Sequence, residues 1–128
     1  MEEEEKEKKD IEQEKAKIKE IILPVLTRKL KMERGIIVKT NTEYKGETPD
    51  ALLVVKNTVV GVVMVETEDS LDTIPDKAKR LLKISSSIYF LIPKWAEKRA
   101  RETLLNSLGL GLAGKVRLSP YDITFSNI

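Results

Sequence analysis

Two apolar runs, Ala51-Leu52-Leu53-Val54-Val55 and Val59-Val60-Gly61-Val62-Val63-Met64-Val65, are separated only by Lys56-Asn57-Thr58. A strand with one wet face alternates apolar and polar residues, whereas an unbroken apolar run belongs to a strand buried on both faces. The short polar break predicts a hairpin. A hairpin buried on both sides sits at the centre of a sheet and requires cover above and below it, which restricts the chain to a layered α/β arrangement.

The flanking segments supply that cover. Ile21, Ile22, Val25, Leu26 and Leu30 follow helical spacing, with Pro24 marking a kink or restart and Gly35 placed to end the helix. Residues 36–44 are rich in β-branched types and lead into the turn signals of Lys45-Gly46-Glu47-Thr48-Pro49. After the hairpin, Thr73 and Asp76 suit a helix start, Pro75 suits its first turn, and Ala78, Leu81 and Leu82 share a face. Residues 87–93 read as a short buried strand, and a helix from Lys94 to about Leu108 stops at Gly109. Residues 115–128 alternate weakly, as a last strand or an ordered extension. The predicted order is α-β-β-β-α-β-α with a further β, an α/β domain built on a mixed sheet flanked by helices.

Residues 1–20 differ in kind. Nine acidic residues stand there against six lysines, a charge of −3, which leaves +5 on the remainder of a chain whose total is only +2. The segment is divided off as a charged helical extension (1–20) ahead of a single domain (21–128). Ile11, Ile18 and Val25 repeat every seven residues, so a self-associating helix, and with it a homodimer, is one reading. A solvated helix or a frayed tail is the other. No apolar run approaches the roughly 18 residues that a membrane span needs, and the expectation is a soluble, cytoplasmic protein without membrane contact. High Lys and Glu content also matches proteins of very hot organisms.

With 128 residues, no Cys and no His, the chemistry left to the chain is that of carboxylates, hydroxyls, Lys and Tyr. One arrangement stands out: Pro49-Asp50 before the hairpin and Glu66-Thr67-Glu68 after it. Strand alternation puts Glu66 and Glu68 on one side, and a loop centred near Thr58 sets position 50 opposite position 66. Three carboxylates then converge at one end of the sheet and repel one another unless a cation joins them. Mg²⁺ or Mn²⁺ is the expected ion, and activation of a water against a phosphodiester is the expected chemistry. Pro-Asp is also a common turn dipeptide, and Glu-x-Glu is ordinary where 34% of residues are charged, so a capped turn and a solvated strand end are the plain reading.

The order of elements and the residues Pro49-Asp50 … Glu66-Thr67-Glu68 resemble the PD-(D/E)XK nuclease superfamily, which includes restriction enzymes and archaeal Holliday-junction resolvases. The likeness spans roughly residues 20–110. It implies a restriction endonuclease-like α-β-β-β-α-β core, with Asp50 and Glu66 as metal ligands, the Thr67 carbonyl as a further ligand and Glu20 of the first helix as a support. Glu68 stands where the family carries Lys, and a carboxylate repels the phosphate that an ammonium would neutralise. Glu68 then acts as ligand or base, Lys77 of the following helix replaces the missing ammonium, or the chain is a non-cleaving relative that binds nucleic acid or a protein.

Between residues 76 and 101, Lys77, Lys79, Arg80, Lys83, Lys94, Lys98, Arg99 and Arg101 face only Asp76 and Glu97, a local +6. Duplex or branched DNA is the expected partner of such a stripe, and plain solvation is its alternative. Trp95 reads as a packing anchor, and the glycines at 109, 111 and 114 as a helix stop with a connector.

Overall fold

The computed structural model describes residues 2–121, of which residues 2–12, Glu33 and Leu110 are described by their backbone alone. The elements in chain order are α1 (Glu2–Arg34), β1 (Ile37–Thr40), β2 (Ala51–Val55), β3 (Thr58–Val65), a 3-10 turn (Glu68–Thr73), α2 (Ile74–Leu81), β4 (Ile88–Pro93), a 3-10 turn (Lys94–Ala96), α3 (Glu97–Ala113) and β5 (Val116–Tyr121). The five strands lie side by side in sequence order. β1, β2 and β3 pair antiparallel, while β3–β4 and β4–β5 pair parallel, each parallel step crossing through a helix. The α/β expectation, a mixed sheet with helical cover, is what the chain adopts. The last strand ends at Tyr121, and the remainder of the expected extension lies outside the described residues.

The unbroken apolar runs divide by parity between two cores. Leu52, Val54, Val62 and Met64 pack with Leu71, Ile74, Ala78, Leu81, Ala100 and Leu104 on the α2–α3 side. Ala51, Leu53, Val63 and Val65 pack with Ile18 and Leu23 of α1 on the other. That is the physical reason both faces of the hairpin are apolar: each face has its own helix layer. Burying a side chain such as Ile74 or Leu81, both essentially inaccessible, contributes about 1.5–3 kcal/mol.

Two expectations about α1 differ from the outcome. The helix runs unbroken through Pro24 and through the boundary drawn at residue 20. Ile18, at 3% exposure, belongs to the domain's own core and is unavailable for a seam with another chain. In α3 the expected stop at Gly109 is a break, with φ +76°, after which helical turns resume to Ala113.

The hairpin turn is Lys56-Asn57, both at positive φ (48° and 66°), the signature of a two-residue type I′ connection. From it the register runs Val55↔Thr58 and Val54↔Val59, then slips to Leu53↔Gly61, leaving Val60 as the extra residue of a bulge. Ala51 consequently pairs with Val63. Continuing that register sets position 50 beside position 64, two residues short of the expected partner, Glu66. The turn is centred between Lys56 and Asn57 rather than at Thr58, which moves the partner of position 50 by three residues, and the bulge restores one of them.

Candidate functional site

Asp50 stands immediately before β2, where the β2–β3 ladder has run out of carbonyls. The Val65 N–H would be left unpaired there, and Asp50 Oδ2 accepts it at 2.7 Å. From the other side two lysines of α1, four residues apart and so on one helix face, converge on the same carboxylate. Lys19 Nζ lies 2.7 Å from Oδ1 and Lys15 Nζ lies 3.4 Å from Oδ2. Asp50 is therefore nearly buried, hydrogen-bonded and paired with two cations.

Glu66 follows the last residue of β3, and its own N–H still bonds to Leu91 O at 2.8 Å. Its parity is that of Met64, so the side chain turns toward α2. Lys77 Nζ of α2 reaches both carboxylate oxygens, at 2.8 and 2.9 Å, and Ser70 Oγ donates to Oε2 at 2.5 Å. The Glu66 side chain is wholly inaccessible, while Lys77 keeps 21% of its side chain in water. Tyr121 Oη, from the far edge of the sheet, donates to the Glu66 carbonyl at 2.6 Å. Burial, then the carboxylates of Glu14 and Glu66, hold the Tyr121 hydroxyl well above its ordinary range.

The convergence expected of three carboxylates does not form. Asp50 is held by α1 and Glu66 by α2, helices that cover opposite faces of the sheet. Glu68 does not share the side of Glu66, because the strand ends at Val65 and the chain turns into a 3-10 helix at Glu68, where alternation no longer applies. Its carboxylate is exposed and accepts the Trp95 indole N–H at 3.3 Å. Among the described residues no three acidic groups are placed to hold one ion. The Thr67 carbonyl, the further ligand implied by the resemblance, accepts the Ser70 N–H at 3.2 Å. Glu20 is exposed on α1 and lines, with Lys19, Arg28, Lys31, Val38 and Asp50, a groove of about 700 Å³ between α1 and β1.

The donor set can be tested against the divalent ion that the resemblance implies. The oxygens are hard ones, as Mg²⁺ and Mn²⁺ require. Yet two carboxylates facing three ammonium groups carry a net positive charge, and Glu66 has no accessible surface on which an ion could land. The lysines already supply the neutralisation for which a cation would be needed. As arranged, the residues do not fit the metal.

The basic stripe is also partly spent. Arg80 pairs with Glu47 at 3.0 Å, Arg99 with Asp72 at 3.8 Å and Arg101 with Glu97 at 2.6 Å, while Lys77 belongs to Glu66. Lys79, Lys83, Lys94 and Lys98 are exposed and take part in no ion pair among the described residues. Trp95 is not a packing anchor: it is 59% exposed. Of the residues that sequence reasoning missed, Lys15 and Lys19 had a signal in their spacing on the helix. Ser70, Tyr121 and Glu14 had none, since their roles arise from strand order and from the turn after β3.

No family model, curated protein or solved structure matches the chain. Among the described residues no helix is long and apolar enough to cross a membrane.

Proposed function

We propose that this protein binds nucleic acid without hydrolysing it, as a catalytically inactive relative of the nuclease superfamily that its motif residues resemble. The observation carrying this reading is the saturation of Asp50 and Glu66 by Lys15, Lys19 and Lys77. Those lysines turn the end of the sheet from a cation site into an internally neutralised joint between α1, the sheet and α2. Binding is assigned to the exposed ammonium groups of Lys79, Lys83, Lys94 and Lys98, whose phosphate contacts would be sequence-independent. A cytoplasmic location goes with this reading.

One observation favours a second reading, metal-dependent hydrolysis: Lys77 brings an ammonium to Glu66, as superfamily members that recruit this group from the following helix do. Two measurements on the full chain separate the readings. Fluorescence anisotropy with labelled duplex and four-way-junction DNA is expected to show binding that weakens steeply with salt. Reversing Lys94 and Lys98 to Glu is expected to lower affinity at least tenfold while far-UV circular dichroism stays unchanged. Absence of salt-sensitive binding would overturn the proposal. Plasmid cleavage in Mg²⁺ or Mn²⁺, abolished by Asp50→Asn, would replace it with the second reading.

A further inference from the structure

Trp95 is the one tryptophan of the chain, and 59% of it lies in water. The other aromatic side chains among the described residues are held by the fold. Phe90 is buried in the α2–α3 core, Tyr44 packs against that core, and Tyr89 and Tyr121 pack against the core on the α1 side. Trp95 sits where the chain changes direction: β4 ends at Pro93, a 3-10 turn covers Lys94–Ala96 and α3 begins at Glu97. Ala96 and Ala100 supply the burial at that corner, which leaves the indole outside the packing.

The ring is nonetheless held. Its N–H donates to Glu68 Oε2 at 3.3 Å, and a hydrogen bond in the ring plane fixes an edge without covering a face. The charges around it are sorted. The turn Glu68–Thr73 borders the ring through Glu68, and Asp72 of that turn pairs with Arg99, one helical turn beyond Trp95, at 3.8 Å. Lys94 and Lys98, four residues apart, share a different side of the helix, are exposed, and take part in no ion pair among the described residues. Lys98 follows Trp95 by three residues, which makes the two neighbours on the surface. A polyanion is drawn to the lysines and turned away by the acidic turn, so its backbone lies on the lysine side and its bases point across the indole.

We infer that Trp95 stacks on an unpaired base of a single-stranded nucleic acid whose phosphates lie along Lys94 and Lys98. This inference rests on the nucleic-acid reading above and adds to it the form of the ligand. Every base has a π face, so the contact tolerates any sequence. It does require a base outside a double-helical stack, which an intact duplex does not present. With one such ring among the described residues, the site takes a single base rather than a run of them. Glu68 is a positioning residue here, holding the edge of the ring and touching the base only through it.

The test uses the full chain, whose only tryptophan makes intrinsic fluorescence a report on position 95 alone. Oligothymidine and a blunt-ended duplex are the probes. Anisotropy of an end label reads binding, and tryptophan emission with the unlabelled probes reads stacking. Oligothymidine is expected to quench the emission in step with its binding curve, and the duplex to bind without quenching. Trp95→Ala, at an exposed position, is expected to weaken oligothymidine binding by about 5- to 150-fold and to leave duplex binding unchanged. Trp95→Phe, which keeps a ring, is expected to stay closer to wild type. Oligothymidine binding without quenching, or with equal affinity in Trp95→Ala, overturns the inference and leaves the nucleic-acid reading standing. Equal quenching by the duplex also overturns it, because the contact would then need no unpaired base. Absence of binding to both probes removes the nucleic-acid reading, and the inference with it.

Discussion

Replacing Lys77 with Met tests whether Glu66 is held by charge compensation. The substitution conserves side-chain volume but removes the only cation among the described residues within 4 Å of a carboxylate that has no exposed surface. Two unit charges about 4 Å apart attract by about 4 kcal/mol at an effective dielectric of 20, and breaking a buried pair from one side typically costs about 3–5 kcal/mol. Lys77→Met is therefore expected to lose about 3–5 kcal/mol. The double variant Glu66→Met/Lys77→Met, with no charge left to strand, is expected within about 2 kcal/mol of wild type. Urea unfolding followed by far-UV circular dichroism is the assay, because the single tryptophan, Trp95, is exposed and a poor reporter of the core. A loss below about 1 kcal/mol in Lys77→Met would refute the reasoning, since Glu66 would then carry no uncompensated charge.

Three further outcomes follow from the geometry. Asp50→Ala removes the acceptor of the Val65 N–H and the partner of Lys15 and Lys19, and is expected to cost about 2–3 kcal/mol by the same unfolding measurement. Asp50→Asn, which keeps an acceptor, is expected to recover part of that loss. Tyr121 is held neutral by burial and by nearby carboxylates, so its folded-state titration lies above its unfolded value of 10.0. Stability from this group is complete below pH 10 and drains as pH rises above it, so the melting temperature of wild type is expected to fall more steeply there than that of Tyr121→Phe. Gly61→Ala would set a Cβ 3.1 Å from Tyr89 Cε2 and 3.4 Å from Leu53 Cδ1, and is expected to destabilise by about 1–3 kcal/mol in thermal melts.

The hairpin shows how legibility divides. Its two strands and its central place in the sheet were readable because unbroken apolar runs have one explanation, burial on both faces, and parity then assigned each residue to a core. Its register was not readable. Val60 gives no sign that it is the extra residue of a bulge, and a turn centred on Lys56-Asn57 rather than on Thr58 sets position 50 beside position 64 instead of Glu66. The candidate site inherited that error, since a site assembled from two strands depends on their register residue by residue.

Composition and periodicity by themselves determined the α/β layering, the two helices behind the hairpin, and the limit to carboxylate, lysine, hydroxyl and tyrosine chemistry. These are local properties, carried by spacing along one stretch of chain. Tertiary structure alone decided what the carboxylates do. Asp50 meets Lys15 and Lys19 across more than thirty positions of sequence, and Glu66 meets Lys77 and Tyr121 from two other elements. No pattern in the chain encodes those distances, because they are set by how helices and strands settle onto the sheet. An acidic motif that in isolation asks for a metal ion is, once folded, already answered by lysines.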